Sequence, residues 1–209
     1  MKQGQSRAAM TAKRLAPLCA WWLLLATANS FGQRYPILPV PGSPHSIYTM
    51  MQDSRSRIWM GTIDDLFCFD GVHFFSLRGY GYPRETANAL AEDTDGGIWI
   101  ATQGTAANGG TVHGGLYRYQ AGHVQKVFAG DGLSVVSGAP GVMLASFGTE
   151  AVGRPTYGDL YRFRQSGATW IPELLKEKAA NHLTVDKDGT TLFPCPGGWC
   201  ELPRRQLEQ

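Results

Sequence analysis

Asp53-Ser54-Arg55-Ser56-Arg57-Ile58-Trp59-Met60-Gly61-Thr62 and Asp93-Thr94-Asp95-Gly96-Gly97-Ile98-Trp99-Ile100-Ala101-Thr102 carry one pattern twice, forty residues apart. The flanks repeat with it. Ile47-Tyr48-Thr49-Met50-Met51-Gln52 leads into the first copy and Ala89-Leu90-Ala91-Glu92 into the second. Leu66-Phe67-Cys68-Phe69-Asp70-Gly71 follows the first copy and, after an insertion, Gly115-Leu116-Tyr117-Arg118-Tyr119 follows the second. A period near forty residues is what one four-stranded propeller blade requires.

Each residue type in the unit has a physical task. Alternating apolar positions make strands with a buried face. Asp53 and Asp93 open tight turns by accepting hydrogen bonds from nearby backbone amides, and Gly96 supplies the positive φ such a turn needs. The first copy departs from this with Arg55-Ser56 where glycine is expected. Trp59 and Trp99 are large enough to fill the space between neighbouring sheets. Gly61-Thr62 and Thr102 end the second strand, and Leu116 starts the third, where the first copy places Asp65 before its leucine.

Two weaker copies follow. Val142-Met143-Leu144-Ala145-Ser146 with Gly148 and Thr149, then Gly158-Asp159-Leu160-Tyr161-Arg162-Phe163, repeats the second half of the unit. His182-Leu183-Thr184-Val185-Asp186-Lys187-Asp188-Gly189 with Leu192-Phe193 repeats the first half, with Leu192 where the tryptophan stood. The expected fold is all-β: about four propeller blades over residues 34–203, forming a partial or open propeller, with residues 204–209 as a C-terminal tail. The 26 glycines, 12 prolines and 11% aromatic residues agree with many short strands joined by turns. Pro36, Pro39, Pro41 and Pro44 keep the leading segment irregular, Gly79–Arg84 and Gly104–Gly115 read as loops, and Leu174–Ala180 reads as one or two helical turns.

The N-terminus precedes the repeats and differs from them. Lys2, Arg7, Lys13 and Arg14 stand without an acid, Leu15 to Ala28 is almost wholly apolar, and small residues follow at Ala28 and Ser30. That order predicts a secretory signal peptide with its cleavage region over residues 1–33, hence a periplasmic or extracytoplasmic protein. The apolar run is shorter than the ~20 residues that span a bilayer, and Cys19 lies at its start rather than its end, against a lipoprotein signal. Without these four basic residues the 19 Lys and Arg fall to 15 against 17 Asp and Glu, so the remaining chain lacks the charge excess that nucleic-acid binding needs. Cys195 and Cys200 flank a turn-rich Pro-Gly-Gly-Trp and read as a disulfide or as two separate buried thiols, and Cys68 as a packed strand residue.

The two strong copies resemble the two-component regulator propeller repeat on Gln52-Asp53, Ile58-Trp59-Met60-Gly61-Thr62 and Phe69-Asp70-Gly71, and on Glu92-Asp93, Gly96, Ile98 to Thr102 and Gly115-Leu116. The resemblance implies a periplasmic sensor region, placed in such proteins before a membrane helix and a kinase or cyclase output. Its implied ligand is a small molecule, of which a carbohydrate is one kind, and its implied connection to the membrane runs through a helix downstream. The unit count implies a completion of the ring by further blades of a longer chain or by a partner chain.

The residues supply no catalytic centre, metal site or cofactor motif, so no enzyme activity is expected from this segment. The five histidines, His45, His73, His113, His123 and His182, stand in no metal-ligand spacing, and the glycines of 104–115 precede no helix that would cradle a phosphate. Asp64-Asp65 and Asp186 with Asp188 read as turn carboxylates ahead of a cation site. Trp170 and Trp199 are suited to stacking on a sugar ring, and equally to packing between blades. Three functions follow in order: a ligand-sensing propeller, a non-catalytic scaffold, and a propeller lyase, which would need a convergent set of His and carboxylates.

Overall fold

A computed structural model describes residues 40–104, 114–148 and 157–208, and within it Gly42–Gln209 forms one unit of four antiparallel sheets. Blade 1 is β1(Thr49–Gln52), β2(Ile58–Gly61), β3(Leu66–Phe69) and β4(Phe74–Ser76). Blade 2 is β5(Thr86–Glu92), β6(Ile98–Gln103), β7(Gly115–Gln120) and β8(His123–Ala129). Blade 3 is β9(Asp131–Ala139), β10(Val142–Gly148), β11(Gly158–Ser166) and β12(Thr169–Ala180). Blade 4 holds three strands, β13(Thr184–Val185), β14(Thr191–Cys195) and β15(Gly198–Leu202). In every sheet the strands are hydrogen-bonded in chain order, and the sheets stack as an open, partial propeller.

The register shows what the repeat encodes. Trp59 lies opposite Met51 and Cys68, and Trp99 opposite Ala91 and Arg118, so both tryptophans occupy the second strand at one position. Two residues on, Gly61, Ala101 and Ser146 face Leu66, Leu116 and Leu160, which places Leu144 at the tryptophan position of blade 3. The small residue of blade 3 is therefore Ser146, two positions before the Gly148 expected from the sequence. The residue after it is Phe147 instead of threonine.

The cores lie between the sheets. One face of each blade, here called its front, carries the tryptophan position and packs on the back of the next blade. Trp59, Cys68 and Met51 of blade 1 bury against Leu90, Ile98, Ile100 and Tyr117 of blade 2. Trp99 and Leu116 of blade 2 bury against Met143, Ala145 and Phe163 of blade 3. Leu144 and Leu160 of blade 3 bury against Phe193 and Cys195 of blade 4. A fully buried large side chain contributes about 2–3 kcal/mol, so the contacts between blades hold the stack together.

Close approach of neighbouring second and first strands sets the need for glycine at two places. A Cβ on Gly61 would stand 2.6 Å from the Ala87 Cβ, and a Cβ on Gly132 would stand 3.0 Å from the Ala101 Cβ. Ala87 lies opposite Thr102 and Gly132 opposite Phe147, equivalent positions on the first strands. At one interface the second strand carries the glycine, and at the next the first strand does.

Three expectations are revised. Leu174–Ala180 belongs to the long strand β12 rather than to a helix, because Leu174 and Lys176 pair with Tyr161 and Leu160 of β11. The tail residues Arg204–Leu207 form a short helix, α1, whose Leu207 is fully buried against Leu144 and Phe193. Of the expected loop Gly79–Arg84, Gly79 and Tyr80 belong to a 3-10 turn over Leu77–Tyr80 capped by the Ser76 side chain. The signal peptide, Pro36, Pro39, His113 and Thr149 lie outside the described residues.

Candidate functional site

The repeat positions converge on two sites per blade, one at each end of the sheet. At the hairpin end, Asp53 Oδ1 accepts from the backbone N–H of Arg55 and Arg57, while Oδ2 accepts from Trp59 Nε1 at 2.8 Å and Arg57 Nε at 2.7 Å. Asp93 repeats this: Oδ1 accepts from Asp95 and Gly97, and Oδ2 from Trp99 Nε1 at 2.7 Å and from Arg118 Nε at 2.6 Å. One carboxylate thus closes the turn and fixes the indole that fills the interface. Burial opposes the charged form of both aspartates, yet the hydrogen bonds from Trp59 and Arg57, and from Arg118 and Trp99, hold both carboxyls below the usual range. Asp186 keeps only the first task, its Oδ1 accepting from Asp188 and Thr190, because Leu192 offers no donor.

At the opposite end lie the β2–β3 and β6–β7 loops and the connections between blades. Thr62 Oγ and the Asp65 backbone bond reciprocally, and Thr102 Oγ accepts from the Gly115 N–H in the same way. Thr102 also donates to Glu85 Oε2 at 2.5 Å, Tyr117 donates to Glu85 Oε1 at 2.9 Å, and Tyr82 donates to the Glu85 carbonyl. Glu85 is only 4% exposed, and a buried carboxylate needs such donors. Burial, and then the charge of Glu85, push the phenols of Tyr82 and Tyr117 up. Asp131 Oδ1 accepts from the N–H groups of Gly104 and Gly114 and so ties the two stems of the β6–β7 loop together. The end is polar and preorganised, a place where loops are held to shape by groups beneath them.

Asp64 and Asp65 hold Arg78, at 2.5 and 3.3 Å, and Asp65 also accepts from Ser76, so this carboxylate pair is engaged within the chain. Among the described residues no group of three His, Cys, Asp or Glu is placed to hold a metal ion. Cys195 and Cys200 are joined as a disulfide across the β14–β15 hairpin, and Cys68 is buried with its thiol pushed up by that burial. Trp170 packs edge-on against Trp99 beneath the Arg118 guanidinium, whereas Trp199 is 74% exposed. An open groove of about 640 Å³ runs beside Val142, Arg164, Gln165 and Leu207 at the hairpin end.

Residues 41–64 and 81–104, the segments containing the two Asp–Trp anchors, match the family model described as two component regulator propeller. They are regulator propeller repeats. Solved structures agree on the fold. The chain is 18% identical, with a TM-score of 0.54, to the extracellular domain of a one component system from B. thetaiotaomicron, covering 82% of this chain and 22% of that one. It is 14% identical, with a TM-score of 0.55, to the gluconolactonase XC5397 of Xanthomonas campestris, covering 77% and 58%. It is also 14% identical, with a TM-score of 0.56, to the β-propeller domain of Cps50 from Myceliophteria thermophila, covering 81% and 55%. The chain therefore spans about a fifth of the length of the extracellular domain and somewhat over half of the other two. No curated protein matches it.

The motif residues Asp53, Trp59, Asp93, Gly96 and Trp99 meet at the hairpin end, and Gly61, Thr62, Thr102 and Leu116 lie toward the loop end. Sequence reading passed over Arg57, Arg118, Tyr82, Tyr117 and Glu85. Arg57 follows its turn directly, but Arg118 comes from the third strand of blade 2, so the equivalence of the two guanidiniums has no trace in the sequence spacing. Glu85 sits in a blade connection, outside the repeated pattern.

Proposed function

We propose that this chain is the extracytoplasmic, non-catalytic sensing part of a two-component type signal-transduction receptor, with an output unit outside these 209 residues. The observation that carries the reading is the pair of regulator propeller repeats. The fold likeness to an extracellular domain of a one component system supports it. Its ligand is a small polar molecule of the carbohydrate class, held at the loop end over Thr62, Glu85, Thr102 and Asp131. There, the buried hydrogen bonds of these residues hold the blade connections and loop stems to one shape beneath the ligand, and binding would bias the receptor between two states.

Titrating the purified protein with a panel of mono- and oligosaccharides, read by tryptophan fluorescence and thermal shift, tests this. A saturable response that Glu85→Gln weakens at least tenfold supports the reading. Steady turnover of a sugar lactone or polysaccharide would replace it with an enzyme, and silence toward every sugar together with a stoichiometric protein partner on purification would replace it with a scaffold. For export, residues 1–40 fused to a reporter active only outside the cytoplasm should give signal, and a cytoplasmic reporter pattern would overturn the assignment.

A further inference from the structure

Thr62, Glu85 and Thr102, which hold the loop end to shape, are themselves buried, so a ligand there must touch other side chains. The register shows which. The first strands of adjacent blades pack side by side, β1 on β5 and β5 on β9. β5 and β9 each carry one extra residue against their second strands: Asn88 between the partners of Thr102 and Ala101, and Leu133 between the partners of Phe147 and Ser146. Each stands three residues before the one opposite the tryptophan position, Ala91 or Val136. Tyr48 holds that place in blade 1, three residues before Met51, and its N–H donates to the Gly61 carbonyl. Bulges re-aim side chains and gather beside functional sites.

Backbone contacts bring blade 1 and blade 2 together at this row. The Ile63 carbonyl accepts from Thr86 Oγ at 2.8 Å, and the Thr62 carbonyl from the Ala87 N–H at 3.1 Å. Tyr48 is 60% and Ile63 51% exposed. Asn88 is half-buried, its amide held by a bond from Nδ2 to the Gly132 carbonyl at 2.8 Å.

We propose that Tyr48, Ile63 and Asn88 are the contact residues of the ligand, and that the ligand presents a pyranose ring to them. The exposed phenol ring and the isoleucine meet the apolar face of the sugar, and the asparagine amide, which can both donate and accept, meets a hydroxyl on its rim. The inference rests on the sensing reading and deepens it, because it separates the residues that touch the ligand from the buried ones that hold the loops beneath it. It uses blades 1 and 2 alone and is independent of how many blades accompany them.

The test titrates the purified chain and its variants with glucose, galactose, mannose, maltohexaose and cellohexaose, read by tryptophan fluorescence and thermal shift. Tyr48→Ala and Ile63→Glu alter exposed side chains, so both should keep the circular dichroism and melting temperature of the parent while weakening the strongest saccharide response by about tenfold or more. Tyr48→Phe keeps the ring and should stay within about threefold of the parent. If the parent binds a saccharide and Tyr48→Ala and Ile63→Glu bind it equally well, the contact assignment falls while the sensing reading stands. Loss on Trp199→Ala in their place, an aromatic 74% exposed on blade 4, would move the ligand there and overturn the proposal in the same way. A parent that responds to none of the five saccharides overturns both.

Discussion

Blades 1 and 2 each carry a hydrogen-bonded tryptophan anchor at the interface position, whereas blades 3 and 4 carry aliphatic side chains there and blade 4 is crosslinked within its own hairpin. In the first pair each second strand carries a tryptophan whose N–H is held by a turn aspartate, itself held by an arginine. In the second pair the same positions are Leu144 and Leu192; the turn of blade 3 is reduced to Pro140-Gly141, and a disulfide ties β14 to β15. The comparison separates two functions that the repeat joins. Asp186 shows that the turn closes on its aspartate without the tryptophan or the arginine, and Leu144 shows that the interface needs only apolar bulk. The full triad of Asp, Trp and Arg adds orientation, since a hydrogen-bonded indole has one place to lie.

The largest break should come at Trp99, which is fully buried and touches Phe163 and Trp170 of the next blade. Trp99→Ala is expected to cost about 4 kcal/mol in denaturant unfolding, from lost burial and the cavity left behind. A loss under about 1 kcal/mol, typical of a surface site, would mean that blades 2 and 3 do not depend on this contact.

Asp93→Ala and Asp186→Ala divide the anchor from the turn. Removing Asp93 leaves the Arg118 Nε–H, on a side chain only 13% exposed, and the indole N–H without their acceptor, and should cost about 3 kcal/mol. Removing Asp186 costs its two turn hydrogen bonds, about 1 kcal/mol. Equal losses in the two variants would show that the anchored half gains nothing from its triad.

Acid should tell the same halves apart. Because the folded carboxyls of Asp53 and Asp93 lie below their unfolded value of about 3.9, their contribution is fully present above that pH and disappears as pH falls through the folded values. A titration of unfolding free energy with pH should therefore fall steeply below about pH 4. The fall should be shallower in Asp93→Asn. An unchanged slope in that variant would remove Asp93 from the account of acid stability.

The same contrast explains what was legible in the sequence. The anchored blades were readable because tryptophan, aspartate and glycine each answer to one local demand and recur at one spacing. Blade 3 was readable only in outline, since apolar residues of several sizes satisfy its interface; the shift from Gly148 to Ser146 is the consequence. Leu174–Ala180 alternates weakly because β12 is an outer strand with mostly exposed side chains, and its pairing with β11 overrides local preference. Of the loop end, Thr62 and Thr102 were visible as strand ends. Glu85 was not, because its partners Thr102 and Tyr117 come from other strands that only the fold brings to it.

The smallest effect concerns a place where blade 1 departs from its own repeat. Ser56 has φ of 63°, and the matching Gly96 and Gly189 have φ of 75° and 80°. All three turns are closed by the same pair of backbone bonds: Asp53 N to Arg57 O with Ser56 N to Asp53 O, and their counterparts at 93–97 and 186–190. The left-handed conformation is therefore imposed by the turn, and a serine there carries a Cβ that costs about 1 kcal/mol. Glycine removes that cost but gives up part of the gain to its greater freedom when unfolded, so Ser56→Gly should stabilise the protein by about 0.5 kcal/mol. Gly96→Ser should destabilise it by a similar amount. A Ser56→Gly variant no more stable than the parent would mean that the Ser56 side chain contributes something in this turn that the backbone geometry does not reveal.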